Sequence, residues 1–151
     1  MTELRGLLGV LRGEDGPVVP LAPQPTADQL PALVEEVRAA GLPVSLEVVG
    51  DLGGATPTAG VAAYRIVQEA LTNAVRHGDG SGASVVLRRD GEALEVEVAS
   101  RGRRGTGGPP GRGLVGMRER AAAVGGTLEA GPSDDGWVVR ARLPFRGEGA
   151  R

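Results

Sequence analysis

Residues 61–78, VAAYRIVQEALTNAVRHG, hold the only Tyr, Ile, Asn and His of the chain. Their spacing leaves little choice of local conformation. Tyr64, Val67, Leu71, Ala74 and Val75 recur at helical period and give one apolar face to set against a core. Glu69, Asn73 and His77 fall at i, i+4 and i+8, so they align as a second, polar stripe with Arg76 beside it. Spacing alone leaves two readings open for that stripe, a solvated surface or a chemical site. An acid, an amide and two potential cations in line are an uncommon way to finish a surface.

Composition narrows the setting. A chain of 151 residues is the size of one domain with a real core. No apolar run approaches the roughly 20 residues needed to cross a bilayer. The opening MTELRGLLGVLRGEDG lacks the basic start and long apolar run of a signal peptide. A soluble, cytoplasmic protein without membrane contact is the expectation. The chain has no Cys, which excludes disulfides, thiolate catalysis and Cys-based zinc sites. One His cannot build a His cluster for a transition metal. A net charge of −2 gives no general attraction to nucleic acid. With aromatics at 2% of residues, base-stacking platforms for single strands are lacking too. All 17 basic residues are Arg, so any cationic side chain meeting a phosphate binds it as a fork.

Taken in order, residues 1–25 read as a short Leu-rich helical segment followed by a Pro/Gly-rich linker. Thr26 or Asp28 can cap a helix through Ala40, with Pro31 in its first turn and Gly41 as its stop. Residues 43–49 alternate, with Val44, Leu46 and Val48 on one side of a strand. Thr58 can cap the central helix. Residues 83–89 and 92–99 pair as a hairpin over the turn signal Asp90-Gly91. Residues 101–113, RGRRGTGGPPGRG, carry no hydrophobic side chain and predict a mobile loop. A helix over residues 114–124 ends at Gly125-Gly126. A last hairpin, 127–131 with 137–144, turns over Ser133-Asp134-Asp135-Gly136. Residues 26–146 then form the folded domain and 147–151 a disordered tail. Hairpins alternating with helices predict an α+β two-layer sandwich, a mixed, mostly antiparallel sheet with helices on one face.

Two stretches in this order, QEALTNAVRHG and GRGLVGMRER followed by Gly125-Gly126, resemble the N box and G2 box of the ATP-binding catalytic domain of sensor histidine kinases, in the GHKL ATPase superfamily. The likeness is to the subfamily with the GMRER helix and runs over residues 30–145. It implies the same sandwich fold and Mg²⁺ with ATP as ligand. It implies a histidine-containing dimerisation and phosphoacceptor domain as partner, in cis or in trans, and a response regulator further on. The acceptor helix has no counterpart in this chain, and His77 lies inside the N box. Dimerisation in the family resides largely in the missing helices, so a monomer or weak dimer is expected. Two alternatives share the fold: a regulatory nucleotide-binding module without kinase activity, and a stand-alone anti-sigma-factor serine kinase.

The resemblance also assigns roles. Asn73 would coordinate Mg²⁺, which takes few protein ligands, all oxygen. Glu69 would activate the incoming nucleophile or order a metal-bound water, consistent with general-base chemistry. Arg76 and His77 would face the phosphates. Gly111, Arg112, Gly113 and Leu114 match the G2 box, where glycines let backbone approach the triphosphate. In the G1 box, Ser100 stands where the family has an Asp that accepts from the adenine amino group. Gly102 matches the first glycine, and Arg104 replaces the second. A hydroxyl without charge assistance would weaken the adenine contact by on the order of 1–3 kcal/mol, or about 5- to 150-fold.

Overall fold

The computed structural model describes residues 25–102 and 111–145, with the backbone alone at 111 and 112. The expected N-terminal segment and linker, residues 103–110 of the glycine-rich loop with Arg104, and the tail lie outside the described residues. The chain runs through a 3-10 turn (Ala27–Gln29), α1 (Leu30–Ala39), β1 (Val44–Val49), α2 (Pro57–His77), β2 (Ala83–Asp90), β3 (Ala93–Arg101), α3 (Gly111–Ala123), β4 (Thr127–Ser133) and β5 (Gly136–Pro144). The five strands form one sheet in the order β1-β2-β3-β5-β4. Only β1 and β2 run parallel; the other neighbours are antiparallel. This is the expected α+β sandwich.

Alternation along the strands divides the sheet into two faces. Val85, Leu87, Leu94, Val96, Val98, Val139 and Leu143 are buried and join Leu33, Val37, Ile66, Leu71 and Met117 of the helices in one core. The opposite face carries Arg88, Glu95, Glu97, Arg140 and Arg142, with ion pairs Arg88–Glu95 at 3.0 Å and Arg140–Glu97 at 3.6 Å. Arg142 also pairs with Glu95 and, at 3.2 Å, with Asp90. Exposed pairs of this kind add little stability each. Their effect is to keep one face of the sheet wet and direct the helices to the other. No helix among the described residues is long and apolar enough to cross a membrane.

The helix ends follow local chemistry. Before α1 the Thr26 amide donates to Gln29 Oε1 at 3.1 Å. Leu30, Leu33, Val34 and Val37 are buried at helical spacing, and Gly41 ends the run with φ +113°. The cap of α2 differs from the Thr58 expected. Thr56 Oγ1 accepts from the Ala59 amide at 3.2 Å, and Pro57 takes the first helical position, where its missing N–H costs nothing. The Thr56 amide in turn donates to the Phe145 carbonyl at 3.1 Å, tying the helix start to the end of β5.

α2 is more enclosed than one apolar stripe implies. Val67, Leu71 and Ala74 are buried as expected, but Tyr64 and Val75 are half-buried, and Ala63, Ile66 and Ala70 are buried as well. The helix lies on the sheet with α1 and α3 packed at its flanks, so more than one side of it is covered.

Other details differ from expectation. The first hairpin turns over Gly91-Glu92, because Asp90 pairs with Ala93; Gly91 takes φ +63°, as primed turns require of their first position. In β1 only Val44 is fully buried, and Val48 is 48% exposed, because the core does not extend over the far half of this edge strand. α3 starts at Gly111, three residues before the expected Leu114. Burial of Leu114, Met117 and Ala121 on one side outweighs the helix cost of about 1 kcal/mol per glycine. Its end is set by the Gly126 amide donating to the Ala121 carbonyl at 2.8 Å and Gly125 to Ala122 at 2.9 Å, with Gly125 at φ +84°: a Schellman stop.

Candidate functional site

The polar stripe of α2 faces the start of α3. Glu69 and Asn73 are half-buried, one helical turn apart on the same face. Opposite them stands Gly113. A β-carbon there would lie 2.5 Å from Glu69 Oε2 and 3.3 Å from Asn73 Nδ2. Backbone alone therefore approaches the carboxylate and the amide, two oxygen-bearing groups of a kind that Mg²⁺ accepts. The two motifs, forty residues apart in sequence, meet here.

The end of β3 closes a second side. Arg101 and Gly102 abut the chain leaving α2: a β-carbon at Gly78 would lie 3.3 Å from the Arg101 carbonyl, and one at Gly102 only 2.6 Å from the Asp79 amide. Gly102 has φ +126°, so this approach needs glycine on two counts. The Gly102 amide donates to the Asp135 carbonyl at 2.9 Å, and the Arg101 amide to Gly82 at 3.0 Å. Ser100 is half-buried at this end of the strand, between Ala83 of β2 and Trp137 of β5.

The remaining candidates are placed as follows. Arg76 and His77 are exposed on the last turn of α2. Gly111 and Arg112 open α3. Leu114 has its side chain in the core at 5% exposure, so the group it can turn to a ligand is its backbone. Two residues at the site escape a reading by motif: Asp79 under Gly102, and Trp137 beside Ser100. Asp79 belongs to a stretch legible only as a turn. Trp137 is found by strand register, which the sequence does not print.

The electrostatics of this end are set by short-range contacts. Hydrogen bonds from the Ser81 hydroxyl and backbone, the latter at 2.8 Å, hold the exposed Asp79 carboxyl below the usual range, with Arg101 adding to the effect. Farther along the helix layer, burial and the neighbouring Arg120 lower the pKa of Arg65. Its guanidinium donates to Gln68 Oε1 at 2.9 Å. A depression of about 380 Å³ lies away from all of this, among the paired charges of the opposite sheet face.

At this end of the mixed sheet, then, α2 and α3 set a glycine against a carboxylate and an amide. Residues 58–147 match the family of histidine kinase-, DNA gyrase B- and HSP90-like ATPases, and the chain belongs to that family. It is 40% identical over 101 residues to the sensor histidine kinase YxjM of Bacillus subtilis, a match covering 66% of this chain and 25% of that protein. To the sensor histidine kinase LnrJ of the same organism it is 30% identical over 122 residues, 75% of this chain and 30% of LnrJ. The chain thus spans between a quarter and a third of these relatives. In fold it is similar to the blue-light activated histidine kinase of Erythrobacter litoralis EL346, with TM-score 0.59 at 24% identity over 80% of this chain and 42% of that one. Family and relatives together make this an ATP-binding catalytic domain of the histidine kinase type.

Proposed function

We propose that residues 26–146 act as the catalytic ATP-binding domain of a cytoplasmic sensor histidine kinase. The domain would deliver the γ-phosphoryl group to a histidine on a dimerisation and phosphoacceptor domain, in cis or in trans, from which a response regulator takes it. The observation that carries this reading is Gly113 set against Glu69 and Asn73.

The residues present fit Mg²⁺ with ATP. Mg²⁺ keeps most of its waters and needs one or two protein oxygens beside substrate phosphates; Asn73 offers its amide oxygen from a rigid helix. When bound, the ion would supply positive charge to offset that of the phosphates. Glu69, one turn away, is positioned to orient the incoming imidazole or take up its proton. Gly113 leaves room for both side chains, and the backbone from Gly111 to Leu114 supplies N–H groups at a helix start for phosphate oxygens. Arg76, exposed on the last turn of α2, adds cationic reach with His77 beside it, and Ser100 with Gly102 borders the base. The similarity to sensor histidine kinases favours transfer to histidine over transfer to serine. The intact Glu69–Asn73–Gly113 arrangement speaks against a module that has lost catalysis.

The test is phosphotransfer from γ-labelled ATP, with Mg²⁺, to a partner domain containing an acceptor histidine. Acid-labile, base-stable label on the partner is expected, and Glu69→Gln should lose transfer while retaining nucleotide binding. Acid-stable label, or none with any histidine partner, would refute the assignment.

A further inference from the structure

We propose that two copies of this chain join edge to edge along β1, antiparallel about Val48, so that their sheets run on as one. The proposal is independent of the nucleotide-site reading above.

β1 ends the sheet, and among the described residues no strand lies beyond it. The Ala83 amide donates to the Pro43 carbonyl at 2.9 Å, so Pro43 turns its carbonyl to β2. Backbone groups alternate sides along a strand, and Val44, Leu46 and Val48 therefore point theirs outward. Arg38 Nε donates to the Val44 carbonyl at 2.7 Å and closes that half of the edge. The other half has exposed valines instead. Val48 and Val49 are 48% and 40% exposed, two of the three exposed large apolar side chains among the described residues. A free edge carrying β-branched apolar residues is a template for another strand. The opposite edge, β4, includes Pro132, which has no N–H to offer a ladder.

Register identifies the occupant. In a two-fold antiparallel pairing, one residue meets its own copy at the centre. Centred on Leu46, the pairing needs the Val44 carbonyl, which Arg38 holds. Centred on Glu47, it sets two carboxylates directly opposite each other, which is destabilising. Beyond Val48 the strand runs out, at Val49. Only a centre at Val48 remains. There Val48 exchanges both backbone hydrogen bonds with its copy, and each Val49 lies opposite the partner's Glu47. Arg88 is the next neighbour of Val49 in the same row, so the incoming carboxylate meets a valine with a guanidinium behind it. Val48 is also four residues, about 13 Å, along the strand from Val44. Val44 shares its row with Ala83 and Ser100, so the join leaves the Gly113 end of the molecule open.

The overlap is short, which puts the interface in the small class, below about 1,200 Å². Sedimentation equilibrium of the full chain from about 10 μM to 1 mM should show its mass rising towards that of a dimer. Val48→Lys should stay monomeric throughout, with its circular dichroism and ATP affinity unchanged. Val115→Lys, at the third exposed valine, should dimerise as the wild type does. The chain has no Cys, so one introduced thiol reports on one position. Paired Val48 residues would hold their Cα atoms about 5.5 Å apart, within disulfide reach, whereas copies of residue 47 or 49 lie more than about 7 Å apart. Under mild oxidation Val48→Cys should cross-link at least tenfold faster than Glu47→Cys or Val49→Cys. A wild-type chain still monomeric at about 1 mM, a Val48→Lys chain that dimerises normally, or faster cross-linking from 47 or 49 would overturn the proposal. None of these outcomes touches the nucleotide site, which is tested by ATP binding.

Discussion

A β-carbon on Gly113 would sit 2.5 Å from Glu69 Oε2, closer than real β-carbons come, so the Glu69 carboxylate keeps its place only with glycine at this position. The contact falls on the far end of a flexible side chain, which can swing away. Gly113→Ala should therefore fold, and alanine gains up to about 1 kcal/mol of helix propensity over glycine. Its cost falls on the site, where the Glu69 carboxylate and the Asn73 amide are displaced. We expect unchanged or slightly raised thermal stability with Mg-ATP binding weakened at least tenfold. Gly116→Ala is the control, since beyond the helix's own neighbouring backbone nothing lies within 4 Å of the added carbon. It should stabilise by up to about 1 kcal/mol and leave binding alone. Equal binding by both variants would refute the role given to the 113 contact.

The start of α2 depends on one hydroxyl. Thr56 Oγ1 accepts from the Ala59 amide at 3.2 Å, and its removal leaves that amide short of a partner. Thr56→Ala should cost about 1 kcal/mol in urea unfolding, within the usual range of roughly 0.5–2. Thr58→Ala should cost clearly less, and the reverse order would show the cap to be misassigned.

Phe145 closes the core from the far end of β5. Its ring has no exposed surface and lies 4.0 Å beneath the Arg89 guanidinium. Its backbone joins Glu92 to Thr56 through one donated and one accepted hydrogen bond. Phe145→Ala should destabilise by about 3–5 kcal/mol, measured by chemical denaturation. A loss below about 1 kcal/mol would contradict this placement.

The loop beneath Gly102 is sensitive to acid. The folded state holds the Asp79 pKa below its ordinary value of 3.8, chiefly through the Ser81 hydroxyl and backbone. The stabilisation from this lowered pKa is fully present above the ordinary value and is lost as pH falls through the lowered, folded one. Ser81→Ala should bring the carboxyl titration, followed by NMR, back towards 3.8. No upward movement would remove the hydroxyl as the cause.

Much of this was legible in the sequence where one local rule acted without competition. The run Leu30, Leu33, Val34, Val37 gave α1 because only one of its faces is buried. Where tertiary packing competed, local reading fell short. Burial of Leu114 and Met117 drew Gly111 and Gly113 into α3 against their propensity. In β1, alternation promised burial for Val48 that the end of the core denies. Enclosure of α2 by two helices buried Ile66 and Ala70 outside the single stripe. At the site, Glu69, Asn73 and Gly113 were found by motif. Asp79, which abuts Gly102, and Trp137, which pairs with Ser100, depend on a positive φ at Gly102 and on strand register. Neither quantity is periodic in the sequence, so no pattern announces it.

The most direct measurement is a calorimetric titration of ATP, with and without Mg²⁺, into the wild-type chain and Asn73→Ala, both verified by circular dichroism. If the helix amide supplies an oxygen to the metal, wild-type binding should be strong only with Mg²⁺. The variant should bind at least tenfold more weakly and respond no longer to the ion. An Asn73→Ala chain with wild-type affinity and undiminished Mg²⁺ dependence would contradict a metal-bound triphosphate between α2 and α3.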